Sequence, residues 1–295
     1  MAIIATTGFF DGVHAGHRKV IDTLCRTAAE RGAKSAVVTF WPHPRSILRQ
    51  DARDLRLLNS LEEKKELLKA CGVDEVHVVD FTKELSRQSC ESFIKEYLID
   101  RVGASTLIVG YDHKLGNPAY STDIAKVAAG LGLETIRAAS VSDKYDTVSS
   151  THIRNYIATG GIVRANALLG YCYRLSGVVV SGNGIGRRLN YPTANMQLYE
   201  PLKVIPERGV YAVKVHVEGG SYYGVCNIGV RPTICKGDTQ VIETHILDFD
   251  EEIYGLDIKV DFCEKLRDER KFESIEALKA QLDLDIRTTR DIFGI

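Results

Sequence analysis

AIIATTGFFDGVHAGHRKVI, residues 2–21, passes from a β-branched apolar run through a glycine-rich turn into an amphipathic pattern. The run AIIAT (2–6) has strand character. The pattern that follows, HRKVIDTLCRTAAERG, spaces Val20, Ile21, Leu24 and Ala28 along one helical face, with Gly32 as its stop. Downstream, SAVVTF (35–40), EVHVVDF (75–81), STLIVG (105–110) and LETIRA (133–138) repeat the strand signal. Helical patterns lie between them, among them SLEEKKELLKACG with Ser60 as N-cap, Glu63 as its capping-box partner and Gly72 as its stop. Alternating strands and helices of this kind predict a parallel sheet covered on both faces, so the first half is read as a Rossmann-like α/β unit.

From about residue 173 the texture changes. YRLSGVVVSG, GVYAVKVHVEGG, SYYGVCNIGV, QVIETHILDFD and LDIKVDFCEKL are β-branched and aromatic, with glycine-containing turns between them. Lys214, His216 and Glu218 alternate with Val213, Val215 and Val217, the period of a half-buried strand. EGGS (218–221) supplies a hairpin turn. Strands without intervening helices predict an antiparallel β-barrel or sandwich. A helix from about Ser274, with a second over DIRTTRDIFG, closes the chain. The division falls between Gly170 and Tyr173, giving domains 1–171 and 172–295.

Composition narrows the function. The 295 residues carry 38 Lys+Arg against 39 Asp+Glu, a formal charge of −1, which lacks the basic excess of a nucleic-acid binder. No apolar run reaches the roughly 18–20 residues of a membrane-spanning helix. The N-terminus has no basic n-region and Asp11 interrupts its apolar stretch, unlike a signal peptide. Seven scattered cysteines without a CxxC pair fit reduced thiols rather than a zinc site or a disulfide framework. The expected compartment is the cytosol.

In the opening stretch Gly8, Gly12 and Gly16 let backbone approach a ligand, and His14 and His17 fall three residues apart at the helix start. Free N–H groups at a helix N-terminus favour an anion. Two imidazoles added there suit phosphate oxygens gaining charge in a transition state. Zinc is a weaker alternative, since no third ligand stands nearby. Ser149, Ser150, Thr151 and Arg154 form a hydroxyl cluster with an arginine one turn on, a second anion-binding element or an ordinary N-cap.

In the second half SGNGIGRRLNYPTANM holds Gly182, Gly184 and Gly186. It is not a dinucleotide fingerprint, because Arg187 stands where the third glycine of GxGxxG belongs, and Asn190 and Pro192 stop a helix. The run alone reads equally as a phosphate-wrapping loop, with Arg187 or Arg188 nearby, or as a plain surface loop. Thr193 and Asn195, two residues apart in an extended segment, point to one side and can hold Mg²⁺ together with ATP phosphates. Glu243 faces opposite to Ile242 and Thr244, and an exposed strand carboxylate is its plain alternative.

These motifs carry a resemblance. FFDGVHAGH, TFWPHPR (39–45), LIVGYDHKLG (107–116) and VSSTHIR (148–154) resemble, in order, the motifs of bacterial FMN adenylyltransferases. SGNGIGRRLNYPTANM, NIGVRPT (227–233), VIETHILDF (241–249) and LRDERKF (266–272) resemble those of riboflavin kinases. Together they resemble the bifunctional riboflavin kinase/FMN adenylyltransferase (FAD synthetase) family over nearly the whole chain. The resemblance implies that riboflavin is phosphorylated by ATP with Mg²⁺ to FMN, and that FMN is adenylylated by a second ATP to FAD. It implies His14 and His17 as catalytic groups at the α-phosphate, with Gly8, Phe10, Asp11, Gly16, Ser150, Thr151 and Arg154 around that nucleotide. It assigns Gly182, Gly184, Gly186, Arg187 and Thr193 to the kinase nucleotide, and Asp112, Asn195, Arg267 and Glu269 to the flavin. It makes Thr193 and Asn195 the Mg²⁺ ligands and Glu243 the general base. Two departures stand out: DHKLGNPA (112–119) replaces the usual DFxFG continuation, and Asn190 replaces a glycine at a position where Asn tolerates positive φ. The first leaves a kinase with an impaired adenylyltransferase as the alternative. For Arg267 and Glu269 the alternative is a solvated charge run.

Overall fold

The computed structural model describes residues 1–48, 55–110, 123–138, 148–182, 184–233 and 237–295. It divides into two compact units, Met1–Ser150 and Thr151–Ile295.

The first unit alternates as expected: β1 (Ile3–Thr7), α1 (Ala15–Glu30), β2 (Lys34–Trp41), α2 (Pro44–Leu48), α3 (Leu61–Ala70), β3 (Glu75–Asp80), α4 (Cys90–Phe93), β4 (Ala104–Val109), α5 (Ile124–Gly130) and β5 (Glu134–Arg137). α4 runs on as a π-wound helix over Ile94–Arg101. The five strands pair in parallel in the order β3-β2-β1-β4-β5. Alternate residues feed two separate cores. Ile4, Val37 and Ile108 pack with Ile21, Leu24 and Leu68 on one face, and Ala5, Val38 and Leu107 pack with Phe93, Ile94 and Leu98 on the other. Burial on both faces is why these strands read as continuous apolar runs. β1 stands at the centre, where the strand order reverses, and in open α/β sheets the crevice beyond that point is where ligands bind. The glycine–histidine turn leaves β1 there.

Ser60 caps α3 through its hydroxyl, and the Glu63 side chain returns to the Ser60 N–H, completing the capping box. Ser60→Ala removes one partner of that pair and is expected to lower the unit's unfolding free energy by about 1 kcal/mol, read from denaturant melts.

The second unit contains α6 (Ser150–Ala158, opening on the last residue of the first unit), α7 (Ile162–Leu169), β6 (Tyr173–Val180), α8 (Ile185–Leu189), β7 (Ala194–Leu198), β8 (Gly209–Val217), β9 (Gly220–Thr233), β10 (Gly237–Ile246), β11 (Asp257–Arg267) and α9 (Ile275–Phe293). Its six strands close into an antiparallel barrel, β10-β7-β6-β11-β8-β9. Val213, Val215 and Val217 are buried while Lys214 is exposed, as the alternation predicts. The β8–β9 hairpin turns on Glu218 and Gly219, both at positive φ (49° and 77°), the backbone twist that suits a two-residue hairpin.

The C-terminus departs from expectation in being one 19-residue helix, not two. No breaker interrupts it. Ser274 caps its start by accepting from the Ala277 N–H. Asp285, the first residue of the expected second helix, is buried within the continuous helix and held by Arg267.

Candidate active sites

In the first unit the turn after β1 is fixed from within. The Asp11 carboxylate accepts from the backbone N–H groups of Leu58 (3.0 Å) and Asn59 (3.2 Å). The Asn59 side chain in return accepts from Gly12 N–H at 2.7 Å. The Ser150 hydroxyl donates to the Asp11 carbonyl at 2.9 Å, tying the start of α6 to the same turn. Asp11 and Ser150 therefore hold the backbone that presents the histidines.

His14 is the N-cap of α1, and its Nδ1 accepts from the His17 backbone N–H at 3.4 Å. The two rings stack with centroids 3.7 Å apart and an interplanar angle of 16°, and Phe10 sets its ring edge against His17. Gly16 permits this: a Cβ there would lie 3.2 Å from the His14 ring, tighter than normal side-chain contacts. Burial, then the neighbouring His14 and the Lys64 ammonium, hold His17 well below its usual 6.5, so the ring is neutral at pH 7. Between that lowered value and 6.5 the unfolded chain binds the proton and the folded chain does not, so this group costs stability as pH falls from 6.5. The His17 Nδ1 is enclosed with no hydrogen-bond partner among the described residues, so we assign the ring proton to Nε2. His14, accepting at Nδ1, carries its proton on Nε2 as well. Two stacked imidazoles at a helix N-terminus are suited to phosphate oxygens.

In the barrel, β7 and β10 pair so that Glu243 stands opposite Asn195, and β10 pairs with β9 so that Glu243 also stands opposite Asn227. Ile242 and Thr244 are buried, leaving Glu243 on the other face, as read from the sequence. A cleft of about 500 Å³ opens beside β7 and β10, lined among others by Arg187, Thr193, Thr244 and the 249–254 segment. A smaller recess shares Arg187 and Thr193 and adds Gly182, Gly184 and Asn195. Gly182 lies so close that a Cβ would fall 2.3 Å from the Asn195 amide, which explains a glycine there. The glycine run is partly ordered into α8, ended by Asn190 at φ 70° in the left-handed region. Gly186 also belongs to this turn, its backbone packed against the Tyr191 carbonyl.

The structure thus brings together Gly8, Phe10, Asp11, Gly16, His14, His17 and Ser150 in one unit, and Gly182, Gly184, Gly186, Arg187, Thr193, Asn195 and Glu243 in the other. Thr151 and Arg154 follow Ser150 in α6. Arg267 is committed to α9: its guanidinium holds the Asp285 carboxylate through contacts of 2.7 to 3.1 Å. Glu269 lays its carboxylate over Gly229 beside Asn227. Asp112 and the rest of the 112–119 departure lie outside the described residues. Sequence reasoning missed the cleft wall Phe249–Tyr254, whose signal is the acidic run DFDEE shortly after β10.

The chain is a transferase built from an α/β unit and a β-barrel unit. An FAD synthetase family model matches residues 1–152, and a riboflavin kinase model matches 169–293. The bifunctional riboflavin kinase/FMN adenylyltransferase of Listeria monocytogenes is 38% identical over 295 residues, covering 99% of this chain and 92% of its own. That of Bacillus subtilis is 36% identical over 287 residues, covering 96% and 90%. A solved Streptococcus pneumoniae chain described as a macrolide-efflux protein superposes with a TM-score of 0.89 at 30% identity, covering 98% of this chain and 94% of its own. No helix among the described residues is long and apolar enough to cross a membrane. The chain belongs to the bifunctional riboflavin kinase/FMN adenylyltransferase family. It has both activities, converting riboflavin to FMN and FMN to FAD with ATP.

Proposed function

We propose that the two steps run at separate sites, one in each domain, with the division at residues 171 and 172. In the kinase, Glu243 accepts the proton of the riboflavin 5′-hydroxyl as that oxygen attacks the γ-phosphorus of ATP and ADP leaves. Gly182, Gly184, Gly186 and Arg187 line the nucleotide cleft. Asn195, Arg267 and Glu269 are assigned to the flavin, with Arg267 acting through its hold on α9. Thr193 and Asn195 hold Mg²⁺, since two neutral oxygen donors suit a cation that keeps phosphate and water oxygens in its shell. Bound there, Mg²⁺ supplies charge neutralisation of the phosphate chain.

In the adenylyltransferase, an oxygen of the FMN phosphate attacks the α-phosphorus of a second ATP and pyrophosphate leaves. His14 and His17 donate from Nε2 to the oxygens that gain charge. Ser150, Thr151 and Arg154 are assigned to the triphosphate, and Asp112 to the substrate. Riboflavin, FMN, FAD and ATP are the partners, and the cytosol is the compartment.

The observation that carries this reading is that each unit holds its own set of groups: stacked imidazoles at the sheet switch point, and a carboxylate in register with the Asn195 strand. Incubation with riboflavin, ATP and Mg²⁺, followed by chromatography of the flavins, tests it. FMN is expected first and FAD after it. FMN with no FAD would favour a kinase whose adenylyltransferase is impaired. No ADP or pyrophosphate at all would make the chain a flavin-binding module and sink the proposal.

A further inference from the structure

The side chain of Lys64 is fully buried, with 0% exposure, inside the adenylyltransferase unit. Its ammonium donates to the Thr39 hydroxyl at 3.3 Å and the Phe40 carbonyl at 3.4 Å. It also sits 4.0 Å over the centroid of the Phe9 ring and 5.5 Å from that of Trp41. Among the described residues no carboxylate forms an ion pair with it. An ammonium enclosed without a counter-ion is costly, and a well-packed apolar side chain would be the cheaper filler.

What the ammonium touches suggests its use. Thr39 Oγ1 donates to the Phe9 carbonyl at 3.2 Å, so hydroxyl, ring and carbonyl link Lys64 to the turn that carries His14 and His17. Phe9 in turn stands edge-on to His43, with centroids 4.1 Å apart. Lys64 comes from the first turn of α3, directly after the Leu58–Asn59 segment that clamps Asp11. Two independent supports from one stretch of chain therefore meet the same turn.

We propose that Lys64 is a positioning residue for adenylyl transfer, holding the Phe9–His17 turn from beneath and supplying a fixed positive charge to a site that receives a polyphosphate. It acts through Phe9, Thr39 and the local field, and touches no substrate. The substrate's phosphate charge then adds to the field of Asp11, the carboxylate that already acts on the ammonium without forming an ion pair with it. Burial draws the ammonium down to about 8 against the opposing field of Asp11, so it remains largely protonated at pH 7. Its field falls on His17, where the titratable groups acting on the ring are His14 from the same turn and Lys64 from α3.

The inference rests on the His14/His17 turn being the adenylylation site, so the experiment separates the two. Lys64→Met keeps length and removes charge, Lys64→Arg keeps charge, and His17→Ala is made alongside. All three are assayed in the full chain for FMN adenylylation across pH, with riboflavin phosphorylation as the internal measure of an intact protein. Lys64→Met is expected to lower kcat/KM for FAD formation by about 10- to 100-fold and to leave FMN formation within about twofold. It is also expected to move the acid limb of the adenylylation profile to higher pH, because the cation that depresses His17 is gone. Lys64→Arg should keep the limb where it is, even if packing slows turnover. A Lys64→Met protein with wild-type FAD formation, with an unmoved limb, or with both activities reduced alike overturns the inference. If His17→Ala itself forms FAD normally, the site assignment fails instead.

Discussion

Glu243→Gln is expected to lower kcat for FMN formation by about 10²-fold, while FMN supplied from outside is still converted to FAD at the wild-type rate. General bases contribute roughly 10²- to 10⁴-fold. The lower end applies here because phosphoryl transfer draws most of its acceleration from positioning and charge stabilisation rather than proton removal. Glutamine preserves the side chain's size and its place opposite Asn195 and Asn227, so the substitution removes proton affinity and little else. Glu243 is not part of the cleft lining that includes Arg187 and Thr193, and KM for ATP should therefore stay within about twofold of wild type. ADP release with riboflavin as acceptor measures the first effect, and flavin chromatography with FMN as substrate measures the second. A Gln variant that phosphorylates riboflavin normally would return Glu243 to the status of an exposed strand carboxylate. Equal damage to both activities would mean that the two steps do not occupy separate sites.

Local chemistry was readable from the sequence wherever neighbours in the chain decide the outcome. The capping box of Ser60 and Glu63, the Glu218–Gly219 hairpin and the alternation of Val213, Val215 and Val217 each depend on residues within a few positions. The stacked histidines followed too, because the N-cap and third helical position lie on one turn. Contacts that depend on pairing were not accessible in this way. Nothing near Glu243 in the chain specifies Asn227 as a neighbour, since register is settled by the whole of β9 and β10. The Phe249–Tyr254 wall becomes a wall only when the barrel closes. The expected second helix begins at Asp285, whose burial depends on a partner, Arg267, 18 residues away. Lys64 is the clearest case: within EEKKE it has the pattern of a solvated helix face, yet the C-terminal end of β2 and the Phe9 turn enclose it completely. Charge runs hide such residues, because composition cannot tell which charge faces inward.

His17→Ala reverses the pattern of the Glu243 variant. FAD formation from FMN is expected to fall by about 10²- to 10³-fold in kcat, the loss typical of removing one donor to developing charge, while FMN formation from riboflavin continues. His17 is the cleaner of the two histidines to remove. His14 also caps α1, and its loss would add about 1 kcal/mol of helix destabilisation to any catalytic effect. Because burial, His14 and Lys64 hold His17 neutral, the working form is an imidazole donating from Nε2, not an imidazolium. Acidification therefore attacks the step twice. It protonates a ring whose Nδ1 has no acceptor among the described residues, and it withdraws the stability that the neutral ring retains above pH 6.5. Adenylylation should fade on the acid side before phosphorylation of riboflavin does, and His17→Asn, which restores a neutral donor with no such titration, should lose that early limb while recovering part of the rate. An Asn variant that keeps the limb would show that another group sets it, and a fully active Ala variant would remove His17 from the chemistry.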